Sequence, residues 1–157
     1  MGQSPATKNA QILSINAGCK LSSPLDQHVL CSLATHLCPR WVACFVSETS
    51  MCHPDAEAEQ DHTAHRHYRH HPGLGGRPMR WIIRGLAKAA VQTVLWRGRA
   101  GAVHLRDSSM DVWAIGVHAA HAELLPQSLS DVAHLAKHRP YGSHVVMLGD
   151  WNVDQLP

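Results

Sequence analysis

The run Trp41–Val46, WVACFV, is apolar at every position. A strand wetted on one face alternates apolar and polar residues, whereas an unbroken apolar strand is one buried on both faces, as in parallel βαβ units. Ahead of it, Gln11–Asn16 (QILSIN) alternates like a strand and runs into the turn signal Ala17-Gly18. Between the two, Pro24-Leu25-Asp26 opens a helix that carries Leu25, Val29, Leu33 and Leu37 four apart on one face and stops before Pro39. A strand, a helix and a doubly buried strand in that order commit the chain to an α/β architecture.

The same order returns at the other end. Asp111–His118 (DVWAIGVH) is a strand, 126–138 is a helix with Leu129, Val132, Ala133, Leu135 and Ala136 on its apolar face, and His144–Leu148 (HVVML) is the last strand. Ser128 and Asp131 support the first turn of that helix. Met79–Arg84, Ala89–Trp96 and Gly101–Leu105 resume apolar patterns in between, with a helical turn as the alternative over Gly85–Ala90. Arg97 and Arg99, in WRGR, read as a turn between strands. Trp81, Trp96, Trp113 and Trp151 read as packing residues.

Residues 50–78 break the pattern. They are rich in His, Asp, Glu, Gly and Pro and read as a long surface loop, with one short strand at His65–His70. Residues 1–9 are polar and read as a disordered N-terminus. The expectation is therefore one domain over 10–157, long enough at 157 residues to bury a sizeable core. The chain holds 45% hydrophobic residues, which excludes wholesale disorder. A formal charge of +2 announces no broad nucleic-acid-binding field, although 14 His would add positive charge in acid. The five Cys include no CxxC pair, which points to thiols in a reducing compartment rather than a disulfide framework. No charged-then-apolar leader opens the chain, and no 18-residue apolar run occurs, so the expectation is an intracellular protein, neither secreted nor membrane-spanning.

Polar residues then fall where the apolar runs stop: Asn16, Glu48, His118, and Asp150 with Asn152. Strand ends are where open α/β sheets present chemistry. In GDWNVD, Asp150 and Asn152 are two apart, so a continuing strand points both to one side. A carboxylate and an amide, joined by a distant Glu and Asn, make a hard-oxygen donor set suited to Mg²⁺ or Mn²⁺. Alone, Gly-Asp-Trp-Asn is equally well read as a loop after a strand.

Four motifs in order shift that balance. The chain resembles the endonuclease/exonuclease/phosphatase family of DNase I-like phosphodiesterases. ILSINAG matches its opening strand ending in Asn, FVSETS its second strand ending in Glu, AIGVHAAH its strand ending in His, and VVMLGDWN its Gly-Asp-Phe/Trp-Asn strand. The family's Gln before the Glu is Ser47 here. The resemblance implies a DNase I-like α/β sandwich of which this chain holds the first half, one mixed sheet with helices on its outer face. It implies Glu48 and Asn16 as holders of a Mg²⁺ or Mn²⁺ ion, and Asp150 and Asn152 as orienting the scissile phosphate and attacking water. It makes His118 a phosphate contact or leaving-group acid, and brings Arg69 and His70 of the His-rich segment near a nucleic-acid substrate. The implied function is a Mg²⁺-dependent phosphodiesterase, an endonuclease first and one of retroelement type among the options. It would be weakened or inactive, because the family's general-base His belongs to a second half.

Two other readings stand beside this one: a non-catalytic binding remnant, and a His-rich metal-binding module built on HTAHRHYRHHPG. A specific zinc site in that stretch lacks regularly spaced Cys or carboxylate partners. A half-fold would also leave DVWAIGV and HVVML facing water, beyond what ordinary surfaces carry. The expected outcome is a chain that is marginal, self-associates, or needs a partner. Sedimentation and thermal melting check it: a monomer that unfolds cooperatively would contradict it.

Overall fold

A computed structural model describes residues 9–18, 24–49, 59–60, 65–73 and 77–151. The expected disordered N-terminus lies outside them except for Asn9, as do Cys19, Cys52 and Asn152. The chain forms two compact units, one of residues 1–71 and 77–86, the other of 72–76 and 87–157. The strands accordingly form two mixed sheets rather than the single sheet expected. Local periodicity identifies strands but says nothing about which of them pair.

The first unit holds β1 (Gln11–Asn16), α1 (Pro24–Leu37), β2 (Trp41–Ser47), β3 (Glu59–Gln60), β4 (Arg66–His70) and β5 (Met79–Ile83), with sheet order β1-β2-β5-β4-β3. β1 and β2 pair in parallel through α1, and the other pairs are antiparallel. β2 is buried at all seven positions, as its unbroken apolar run requires. The helix differs from expectation. Leu25, Val29, Leu33 and Leu37 are all exposed, and α1 instead packs Cys31 and Ala34, flanked by Leu30 and Cys38, onto Trp41, Cys44, Val46 and Ile82. Positions 27, 30, 31, 34 and 38 form a second row of helical period, and Leu30, Cys31, Ala34 and Cys38 of that row meet the sheet. Trp41 locks the end of this unit. Its Nε1–H donates to Thr35 Oγ1 at 3.0 Å, and Arg84 lies over its ring while donating to the carbonyls of Pro39 and Trp41. Cys31, Cys38 and Cys44 are free thiols, and burial pushes the Cys44 thiol far up.

The His-rich segment supplies β4, whose second residue, His67, is buried beside Arg80 of β5, with Arg80 Nη1 3.4 Å from His67 Nδ1. Its stretch from 61 to 64 lies outside the described residues.

The second unit holds β6 (Val91–Arg97), β7 (Ala100–Arg106), β8 (Asp111–His118), α2 (Leu125–Lys137) and β9 (His144–Asp150), in sheet order β6-β7-β8-β9. β6, β7 and β8 form an antiparallel meander, and β8 pairs in parallel with β9 through α2. Val132 and Leu135 of α2 meet Ala102, Trp113, Ile115 and Val117, with Trp151 at the margin. Burying each such aliphatic side chain contributes about 1.5–3 kcal/mol. Trp113 Nε1–H donates at 3.0 Å to the Leu135 carbonyl, one of the acceptors that the last helical turn leaves open. Leu129, expected on the apolar face, is half exposed, while Ser128 and Asp131 are buried. The exposure expected of DVWAIGV is also not observed. β8 is an internal strand, buried from Trp113 onward, and the large apolar residues left exposed on this sheet are Val146 and Met147 of β9.

At the end where β9 begins, Asp111 Oδ1 accepts from the Ser143 hydroxyl at 2.6 Å and from His104 Nε2–H at 2.8 Å, so one carboxylate joins β7, β8 and the residue that leads into β9. Ser143 Oγ also lies 3.3 Å from His104 Nε2, so the three side chains form one closed cluster. A single ring nitrogen faces both the hydroxyl and the carboxylate, which makes this a structural tie rather than a nucleophilic triad, where the two partners sit on opposite nitrogens. The Ser143 and His104 bonds hold the Asp111 carboxyl below its usual value. A group so lowered adds stability that is complete above its unfolded-state pKa, about 3.9, and is lost as pH falls through the lower folded value. Melting temperature should therefore drop between about pH 4 and lower pH. An Asp111→Asn variant should melt lower at neutral pH and lose less on acidification, as thermal melts across that range would show.

Candidate active site at two strand ends

In the first unit the parallel pairing of β1 and β2 brings their C-terminal ends together. Asn16 is in register with Ser47, and Ala17 N–H donates to the Ser47 carbonyl at 2.9 Å. Asn16 Oδ1 accepts from Gly18 N–H at 2.9 Å, a local turn that fixes the amide. Glu48 follows directly, at φ +52°. A Glu held in the left-handed region carries steric cost, and such residues concentrate at functional sites. Thr49 N–H donates to Pro78 at 2.9 Å, which ties this end to the start of β5. His70, the last residue of β4, is in register with Met79, and Arg69 with Arg80. Asn16, Glu48 and His70 thus share one end of the first sheet, with Arg69 one residue in.

The second unit builds its own end. β8 and β9 run parallel, so His118 and Asp150 are register partners, and Ala119 N–H donates to the Asp150 carbonyl at 2.8 Å. The glycine before the Asp has a steric reason. Gly149 faces Val117 across the pair at φ +137°, and a Cβ there would collide with the Val117 carbonyl oxygen. His118 is buried. On its other side lies a residue read from sequence only as part of a turn: the Arg99 carbonyl accepts His118 N–H at 3.0 Å. Arg99 Nη1 is buried and has no hydrogen-bond partner among the described residues, so its charge is available to an anion. The one local signal for it is a Gly between two Arg at a hairpin tip, which is common in turns.

The structure thus brings Asn16 and Glu48 together, and His118 and Asp150 together, each pair inside its own unit. Among the described residues no group of three or more His, Cys, Asp or Glu side chains gathers as a metal site. The donors at the first end still suit a hard cation. Mg²⁺ is commonly held by one or two carboxylates with waters completing its shell, and Glu48 beside an amide oxygen meets that need.

Two mixed sheets, each containing one parallel pair joined through a helix, are those of the DNase I-like fold, and this chain has that fold. No family model and no curated protein matches its sequence. Among solved structures, it is similar to an endonuclease/exonuclease/phosphatase family protein from Leptotrichia buccalis C-1013-b, with a TM-score of 0.56 at 13% identity over 90% of this chain. It is also similar to a humanized D. rerio TDP2 (TM-score 0.53, 15% identity) and to D. rerio TDP2 complexed with a single-strand DNA product (TM-score 0.54, 16% identity), each over 90% of this chain. The chain spans 66%, 62% and 60% of those three structures' lengths.

The strain at Glu48 has a measurable consequence. Glycine occupies φ +52° without the Cβ penalty, so Glu48→Gly should stabilise the fold by about 0.5–1 kcal/mol, seen as a raised melting temperature. A lowered melting temperature would show that the Glu48 side chain holds the strand end together.

Proposed function

We propose that this protein is a Mg²⁺- or Mn²⁺-dependent phosphodiesterase acting on nucleic acid, with hydrolytic cleavage of a phosphodiester as its reaction. The observation that carries the reading is the placement of the motif residues. Asn16 with Glu48 closes neighbouring strands of one sheet, and His118 with Asp150 closes neighbouring strands of the other, in a fold whose solved examples include a TDP2 complexed with a single-strand DNA product.

The roles follow from the chemistry. Cleavage requires water to attack phosphorus, a P–O bond to break, and negative charge on the phosphoryl and leaving oxygens to be stabilised as it develops. Glu48 and Asn16 would hold the divalent ion, which supplies charge stabilisation and lowers the pKa of a bound water. Asp150, with Asn152 beyond the described residues, would orient the phosphate and the water. His118 would contact the phosphate or give the leaving oxygen its proton. Arg99 adds a fixed positive charge beside His118, and Arg69 and His70 would contact the substrate strand.

Relaxation of supercoiled plasmid tests this. Nicking should require Mg²⁺ or Mn²⁺, stop with chelator, and fall roughly 100-fold or more in Asp150→Ala and in Glu48→Gln. Wild-type protein that nicks no faster than Asp150→Ala would end the catalytic reading. If that protein still retards single-stranded DNA, the binding reading replaces it.

A further inference from the structure

We infer that Asp131 of α2 is a positioning residue for the His118–Asp150 end, acting through the Arg97–Arg99 turn. The inference rests on the reading of that end as a phosphate site. A carboxylate in the interior of a helix and only 3% exposed is costly unless its oxygens are engaged. Its engagements converge on one turn. Arg99 N–H points to Oδ2 at 3.4 Å, and Arg97 Nε lies 3.8 Å from Oδ1. Gln127, one helical turn earlier, donates to Oδ1 at 3.3 Å and orients the group from its own helix.

Gly98 shows how closely the turn is pressed onto this carboxylate. It sits at φ +54°, and a Cβ there would collide with Asp131 Oδ2 and Cγ. Arg97 is more than half exposed, so its ion pair contributes little. What Asp131 holds is the backbone of the turn. The Arg99 carbonyl in that same turn takes the His118 N–H at 3.0 Å. One chain of contacts therefore runs from the α2 interior, through the turn, to the strand end that carries His118 and Asp150. A buried carboxylate places the Arg99 side chain without touching substrate.

A double-mutant cycle on nicking rate separates this role from simple structural support. Arg99→Ala and Asp131→Ala should each lower kcat/KM about tenfold or more, because small misplacements of an oriented group are expensive. In the Arg99→Ala background, Asp131→Ala should add no more than about a twofold further loss, since the two substitutions remove one coupled function. Asp131→Asn keeps an oxygen for the Arg99 N–H and should recover most of the rate. Should Asp131→Ala fail to fold, Gly98→Ala takes its place in the cycle, because it forces the turn off the carboxylate. Losses that multiply, or an Asp131→Ala enzyme as fast as wild type, would overturn the inference and leave the phosphodiesterase reading standing. Wild-type protein that nicks no faster than Asp150→Ala would overturn both.

Discussion

Among the described glycines, the tightest approach is that of β9 to β8 at Gly149. No side chain can stand there, because the Val117 carbonyl occupies the space a Cβ would need. That approach fixes the parallel register, and the register makes His118 and Asp150 neighbours at a common end. A one-residue slip would turn every side chain of β9 to the opposite face and take Asp150 away from His118. The cover supplied by α2, with Val132 and Leu135 on Trp113, Ile115 and Val117, holds the strand pair that the glycine permits.

The first unit solves the same problem differently. Its parallel pair β1 and β2 is closed by Asn16, whose amide is committed to a turn, and by Glu48, held at a backbone angle its Cβ disfavours. One strand end accepts steric cost at Glu48, and the other removes the side chain next to Asp150. Both devices sit at the C-terminal ends of parallel strands. There the backbone leaves regular pairing, and polar groups can point outward without breaking the ladder.

Several features were plain in the sequence. The apolar run WVACFV specified a doubly buried strand, and β2 is buried at every position. The strand-ending positions of Asn16, Glu48, His118 and Asp150 held, because a strand stops where its apolar run stops. Other features were not readable. Leu25, Val29, Leu33 and Leu37 make as regular a helical row as the one that packs, and periodicity cannot rank two rows on one helix. The row with Cys31 and Ala34 is the one that meets the sheet, on Trp41, Cys44, Val46 and Ile82. Asp131 and Arg99 read as helix-start and turn residues. Their relation spans 32 positions and has no local signature.

By itself the sequence determined the α/β class, the presence of most strands to within a residue or two at their ends, and the polar residues that close the two parallel pairs. These follow from side-chain chemistry along a few consecutive residues, where burial and the backbone period act locally. Only the tertiary structure decided that the strands separate into two mixed sheets, that β8 is an interior strand, and that a helix carboxylate fixes the turn beside His118. Those outcomes depend on which surfaces meet across long stretches of chain. Such meetings are settled by shape and close approach between distant residues, which no local pattern records.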